Sequence, residues 1–548
     1  MLNLFIITLL LCPAVVLSQS HPGMIPLGQN EKVSPEDGLG LVDHPVTTRN
    51  TEAQKFFNQG LAYLYAFNHE EGIKAFRHAA ELDPEMPMNY WGIALASGSN
   101  YNISADAGQM TEAYANLKKA IDLSPKASLA ERDYISALSK RYDNDPKAHQ
   151  QSLAVNYKNA MGELARKYPD DLDAATLYAE SMMNLRPWQL WSPDGKPAED
   201  TLEILSVLEG VLKRNPDHTG ANHYYIHAIE GSPNPERGLA AAMRLARLAP
   251  NAGHLVHMPS HIYLRTGDYE EAIKSNELAI EADRNYMKKT GSRGVYTLMY
   301  YNHNIHVLAA AYAARGNFEG AERAASELET NIRPNIPLMP MLELYLPYKL
   351  VTLVRFHKWD RVLNYPQPDA NTVVTTGFWR LARGLAYSEM KRTAEAEVEL
   401  SSLRQLGRGM RADAGFGNNS TAPLFTIADQ LLTGEIALTR GDQKVGIETL
   451  RRAVVTEDQI IYDEPSDWDL PTRDWLGRAL LKSGDYVGAE VVYREAIAKR
   501  PRDGRSLFGL AEALNKQGKT SSASLVKKEF DKAWAGSDTK LTTDPFYR

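Results

Sequence analysis

Apolar residues recur along this chain at helical spacing, in paired segments broken by a short polar turn and often closed by a proline. In TRDWLGRALLKSGDYVGAEVVYREAIAKRP (472–501), Leu476 and Gly477 fall in the first segment and Gly484 in the turn. Ala489, Tyr493 and Ala496 follow in the second segment, and Pro501 ends the unit. The same order returns at 56–84, 432–454 and 505–525, with weaker copies between. The pattern predicts an all-α chain of helix-turn-helix units, each burying its apolar faces on its neighbours. Residues 51–530 carry it; 19–50 are aperiodic and rich in Gly and Pro and read as an extended arm, and 531–548 read as a loose tail. Breaks in the spacing near 97–111, 186–200, 285–296, 408–422 and 456–470 mark insertions.

These units resemble the tetratricopeptide-repeat family over roughly residues 51–530. The resemblance implies an α-α solenoid, a right-handed superhelix, in which the second, fifth and ninth positions of each first helix line a concave groove. His223 and His227 recur 34 residues on as His257 and His261, one repeat length later. Registered on Gly267, His254, His257 and His261 take the second, fifth and ninth positions. Registered on Pro233, His223 and His227 take the fifth and ninth, with Gly220 at the second. Registered on Gly316, His303 and His306 take the second and fifth, with Ala310 at the ninth. Seven of the fourteen histidines therefore share one inward surface between 220 and 320.

Spacings of three and four put these imidazoles on one helical face. Neighbouring helices pack ~8–10 Å apart, so adjacent rows converge. A dense buried cluster repels itself if protonated and lacks donors if neutral; a metal ion removes both difficulties. The expected ligands are His223, His227, His254, His257, His261, His303 and His306. Glu230, and Glu180 at the ninth position of the preceding repeat, are the candidate carboxylates for ligation or proton transfer. Imidazole-rich sites suit copper, iron and zinc, and this donor set exceeds that of a mononuclear zinc hydrolase, so copper or iron is expected ahead of zinc. The count fits either two ions or one ion with outer imidazoles, and is similar in donor type to coupled copper sites in oxygen-handling proteins. Pro259, between His257 and His261, should kink its helix.

Other features narrow the setting. The apolar run Leu4–Leu11, with Pro13 and Ser18 after it, reads as a signal peptide (1–18) and so as a secreted or periplasmic protein. Cys12, the only cysteine, leaves with it, so no thiolate ligand remains. A net charge of −7 gives no basic stripe for nucleic acid, and no later run reaches the ~20 apolar residues of a membrane span. Asn102, Asn418 and Asn419 head glycosylation sequons, usable only in a eukaryotic host. Trp188 and Trp191 read as loop packing ahead of a groove wall, and Tyr224, Tyr225, Tyr263, Tyr300 and Tyr301 as packing residues. Lys288, Lys289 and Arg293 read as exposed loop charge. Glu464, Asp469 and Arg473 lie in an insertion long enough to reach the groove.

The histidine segments also resemble a group of secreted bacterial tetratricopeptide proteins carrying YIHAxE, HLVHMPSHIY and NHNxH, here 225–230, 254–263 and 302–306. No reaction is carried over from them. The leading expectation is a metal-dependent oxidoreductase with a small-molecule or peptide substrate in the groove, ahead of a metal-assisted hydrolase. The rivals are a non-catalytic scaffold binding a peptide or protein, through the terminal repeats for instance, and a metal storage or delivery protein.

Overall fold

In the computed structural model, which describes residues 33–145, 147–411 and 413–542, helical hairpins stack side by side from Thr51 to Ala533. The chain is an all-α solenoid. Among the described residues the only paired strands are two short ones, Gly415–Phe416 and Asn419–Ser420, antiparallel within an insertion. The expected signal peptide with Cys12, residues 19–32 of the arm and 543–548 of the tail lie outside the described residues.

Local chemistry starts and stops the helices. Asn50 caps Thr51–Tyr65, Asn317 caps Phe318–Ile332 and Asp485 caps Tyr486–Lys499, each through a side-chain oxygen on an otherwise unpaired N–H. Gly267, Gly316 and Gly484 close first helices at φ +78°, +79° and +88°, a backbone conformation that costs glycine nothing. No helix among the described residues is long and apolar enough to cross a membrane.

The solenoid curls until distant repeats touch. Tyr269 donates to the Pro501 carbonyl at 3.0 Å, and Arg505 to the Ala313 carbonyl at 2.8 Å. The tail is not loose through 542: Asp538 accepts from the Phe318 and Glu319 amides at 2.7 and 2.9 Å, capping a helix start from elsewhere in the chain. At the other end, Glu71 accepts from Tyr286 at 2.9 Å and Lys289 pairs with Glu36 at 2.5 Å. The insertion around Lys289 therefore buttresses the N-terminal arm. Two hydrophobic cores result, one reaching from Leu39 to Tyr300 and the other from Ala272 to Ala523. The histidine repeats sit where they meet.

Candidate metal centre

Three consecutive first helices supply the cluster. Helix Thr219–Glu230 is capped by His218, and all twelve of its residues are buried. Gly220 stands where the Tyr65 ring packs; a Cβ there would come within 2.5 Å of that ring. The next first helix breaks into Gly253–His257 and Pro259–Thr266, because Pro259 brings no N–H to bond. The third, Asn302–Ala314, follows a π-helical turn over Thr297–Tyr301, a local widening common at functional sites.

The imidazoles assemble by one rule. The fifth and ninth positions of one repeat meet the second position of the next. His223 and His227 meet His254, with one ring nitrogen from each inside a 4.8 Å circle. His257 and His261 meet His303 in the same way. Nε2 of His223 and His254 are 3.1 Å apart. In the second triad the Nε2 separations are 2.7, 3.1 and 3.4 Å. Three imidazole nitrogens bound to one ion at ~2.0–2.1 Å stand ~3.3 Å from each other, so the donor sets are already near ligand spacing.

The same rule explains the exceptions. His306, at a fifth position, needs a histidine at the ninth, and that residue is Ala310. It joins neither triad; its ring packs edge-on against Tyr348 at 4.5 Å and Tyr345 at 5.5 Å. Glu180, at a ninth position, needs a ligand at the next second position, and that is Gly220, where Tyr65 packs. Glu180 lies apart from both triads, buried, bonded by Asn184 and facing the charge of Arg141.

Outer partners set the tautomers. Nδ1 of His223 donates to the Tyr65 carbonyl at 2.6 Å, and Nδ1 of His257 to Asn276 Oδ1 at 2.6 Å. Asn276 cannot be flipped, since its amide donates to the Ala272 carbonyl at 2.7 Å. Nδ1 of His227 donates to one oxygen of Glu230 at 2.9 Å, and Nδ1 of His261 to the other. With Nδ1 protonated in all four, Nε2 carries the lone pair, and the lone pairs point at one another. Nε2 of His227 is buried with no hydrogen-bond partner among the described residues. Burial drives His223, His254, His257 and His303 well below the ordinary imidazole range, and their mutual repulsion adds to it. Burial alone would raise Glu230, but His261 and His227 hold it down to about 2. Burial opposes a proton on His261 too, yet the Glu230 charge and hydrogen bond outweigh it and raise that group. Glu230 thus links the two triads with a single carboxylate.

Aromatic walls enclose the donors. Phe67 lies 4.5 Å from His223, 5.6 Å from His254 and 5.7 Å from His227, ring centre to ring centre. It occupies a turn position at φ +55°, where Gly267 and Gly316 serve later repeats. His357 and Lys391 take the same left-handed position in two further turns, at φ +53° and +60°, so a bulky residue there did not single out Phe67. Tyr300 packs edge-on to His254 at 4.7 Å, and Trp188 to His227 at 5.7 Å, so Trp188 is a wall as well as loop packing. Trp191 ties the same loop to the Ala228 carbonyl at 2.8 Å. A cavity of about 370 Å³ opens against His227, His254, His261 and His303 and reaches Glu464 from the late insertion. Asp469 and Arg473 do not reach it: Asp469 pairs with Arg355 at 2.7 Å, and Arg473 grips Asp458 with two bonds of 2.7 and 2.6 Å. Asn419 is 6% exposed, with its amide bonded to the Ile461 carbonyl and Asp467, so a glycan there has no room. Tyr65, Asn276 and Phe67 are site residues that position arithmetic on the histidines does not reach.

Fold and interior define a helical-repeat protein with a histidine-lined centre. Tetratricopeptide-repeat family models match residues 53–86, 257–286 and 306–327. Those segments are tetratricopeptide repeats within the helical solenoid. No curated protein matches its sequence. Similar solved structures include a human IFIT1 dimer with m7Gppp-AAAA, 13% identical over 89% of this chain and 92% of that one, with a TM-score of 0.35. Yeast Tom70 is 11% identical over 88% and 90% at 0.30, and Ypp1 9% identical over 88% and 81% at 0.44.

Proposed function

We propose that this chain is an exported metalloenzyme with two transition-metal ions, one in each three-imidazole triad, and that it oxidises or reduces a small molecule held in the adjoining cavity. One observation carries the reading: four Nδ1–H groups are committed to outer acceptors, which turns their Nε2 lone pairs inward at near-ligand spacing. Two neutral imidazoles with lone pairs 2.7 Å apart repel unless a cation lies between them. A proton shared by His257 and His261 would relieve that pair, but it would leave His227 Nε2 without a partner.

His223, His227 and His254 would hold one ion, and His257, His261 and His303 the other. All-imidazole donors favour copper, then iron, then zinc. Bound redox metals would supply the electron transfer. The chain's own residues do the rest. Glu230 fixes the His227 and His261 rings, the Tyr65 carbonyl and Asn276 fix His223 and His257, and Phe67, Trp188 and Tyr300 keep water from the ligands. With both His N–H groups donating to it, Glu230 is a positioning residue in this reading, although His227, Glu230 and His261 also lie close enough together to share an ion.

Elemental analysis of the mature chain (residues 19–548) after reconstitution with copper, iron and zinc tests it. Two equivalents are expected in the wild type and no more than one in a His257→Ala/His261→Ala variant. More than two exchangeable ions would favour storage. No stoichiometric metal with any ion would end the metalloenzyme reading and leave the groove as a binding surface.

A further inference from the structure

The cavity beside the triads has two unlike walls. One is imidazole and aromatic, with Trp188, Tyr300 and Tyr345 among its lining. The other comes from the late insertions and carries three carboxyl groups, Asp463, Glu464 and Asp467. No Lys or Arg is among the described residues that line it. Arg265, the cation close behind Glu464, is turned away, donating to the Glu230 and Ser232 carbonyls at 3.0 Å each. The acids are held rather than free to swing. Tyr462 donates to Glu464 at 2.7 Å, the Asn418 amide to Asp463 at 3.1 Å and the Asn419 side chain to Asp467 at 2.8 Å. Glu464 is only 8% exposed. Independently, His306 is 6% exposed, lines the same cavity and has an Nδ1 with no hydrogen-bond partner among the described residues.

We infer that the cavity selects a small aromatic molecule carrying an amine, its ring against the aromatic wall and its ammonium on the Asp463–Glu464–Asp467 wall. A carboxylate or phosphate of the same size would meet these acids on that wall, with no Lys or Arg among the described lining residues to pair with it. A cavity of this volume lies at the low end of the range that holds single small molecules, so a peptide chain does not fit inside it. Burial pushes Asp463 up to about 6, Glu464 up to about 7 and Asp467 well above its ordinary value, and Asp463 and Asp467 are hydrogen-bonded to each other. The inference rests on the proposed function for its site but not on a metal being present.

The test is calorimetric binding of three shape-matched probes, 2-phenylethylamine, 2-phenylethanol and phenylacetate, to the mature chain in metal-loaded and metal-free form. The amine should bind at least about tenfold more tightly than phenylacetate, with the alcohol between them. A Glu464→Gln/Asp467→Asn variant should lose most of that preference while keeping its metal content. If the double variant does not fold, Glu464→Gln alone, which still accepts from Tyr462, carries the same readout. Equal or tighter binding of phenylacetate, no binding of any probe, or a preference unchanged in the variant would overturn the inference. Absence of stoichiometric metal in the same preparations would count against the proposed function instead, leaving the amine comparison to be read on its own.

Discussion

The central and the C-terminal repeats both bury polar side chains between their helices, and they satisfy them in opposite ways. In the C-terminal half buried charges pair with opposite charges, even where single atoms such as Glu435 Oε1 and Arg355 Nε keep no hydrogen-bond partner among the described residues. Arg478 reaches both Glu389 and Glu435, Arg355 pairs with Asp469 at 2.7 Å, and Glu399 takes Arg380 and Arg383 at 2.8 and 2.7 Å. Each carboxylate meets a guanidinium that has no further state to adopt. In the central repeats the network is closed on the outside and open on the inside. Donors lead outward to Tyr65, Asn276 and Glu230, and acceptors face one another across 2.7–3.4 Å. A closed network needs nothing more to be stable. An open one, in a fold that otherwise pairs its buried charges, is what the proposed metal ions would complete.

The largest effect should come from opening a closed network. Arg478→Met leaves Glu389 and Glu435 without their cation, and breaking a buried pair from one side costs about 3–5 kcal/mol. Urea unfolding should show that loss, with metal uptake as in the wild type. A parallel fall in metal content would mean that the two halves are not separable in this way. A smaller effect should follow from Glu230→Gln in the open network. Glutamine offers one acceptor and one N–H donor where Glu230 accepted from two imidazoles. The imidazole facing the amide N–H must carry its own proton on Nε2, where it can no longer ligate. One ion should bind normally and the other about 10–100-fold more weakly, measured by competition with a chromophoric chelator. Two unchanged affinities would remove Glu230 from its positioning role.

Much of this was legible in the sequence, and the rest was hidden for identifiable reasons. The helical period and the turn glycines announced the solenoid, and the 34-residue recurrence placed seven histidines on one inward surface. What a single-repeat register does not contain is the offset between repeats. A second position faces the fifth and ninth positions of the repeat before it, which is why His303 joins a triad while His306 and Glu180 do not. The outer partners were hidden because they act through generic groups: a backbone carbonyl at Tyr65, a helix amide at Asn276. Glu464 was visible only as a charge in a long insertion, since reach across a curled solenoid depends on contacts such as Tyr269 with Pro501. Phe67 was hidden because non-glycine residues also fill the turns at His357 and Lys391.

The N-terminal arm stands between the two kinds of network and gives the smallest, most condition-dependent effect. His44 pairs with Asp173 at 2.8 Å, His218 approaches the same carboxylate at 3.3 Å, and Tyr65, whose carbonyl holds His223, donates to it as well. One carboxylate here serves two imidazoles, as Glu230 does, but a protonated His44 can close the network without any ion. His218 is not arranged as a ligand: its Nδ1 accepts from the Ala221 amide at 3.2 Å, leaving the proton on Nε2, toward Asp173. Burial works against charge on His44, yet Asp173 outweighs it and raises His44 above its ordinary 6.5. Burial likewise works against Asp173, whose bonds to His218 and His44 carry it far below its ordinary 3.8. The raised His44 contributes stability that is complete below pH 6.5 and lost as pH rises through its folded value. The depressed Asp173 contributes stability present above pH 3.8 and lost as pH falls through its own folded value. The clasp should therefore hold best between about pH 4 and 6.5 and loosen as the pH rises above that window. Hydrogen exchange of residues 33–48 should be slower at pH 5.5 than at pH 8.5 after correction for intrinsic rates, and His44→Ala should abolish the difference. Equal protection at both values would mean that hydrogen bonds such as that of the Leu41 amide to Thr219, at 2.9 Å, hold the arm without help from the ion pair.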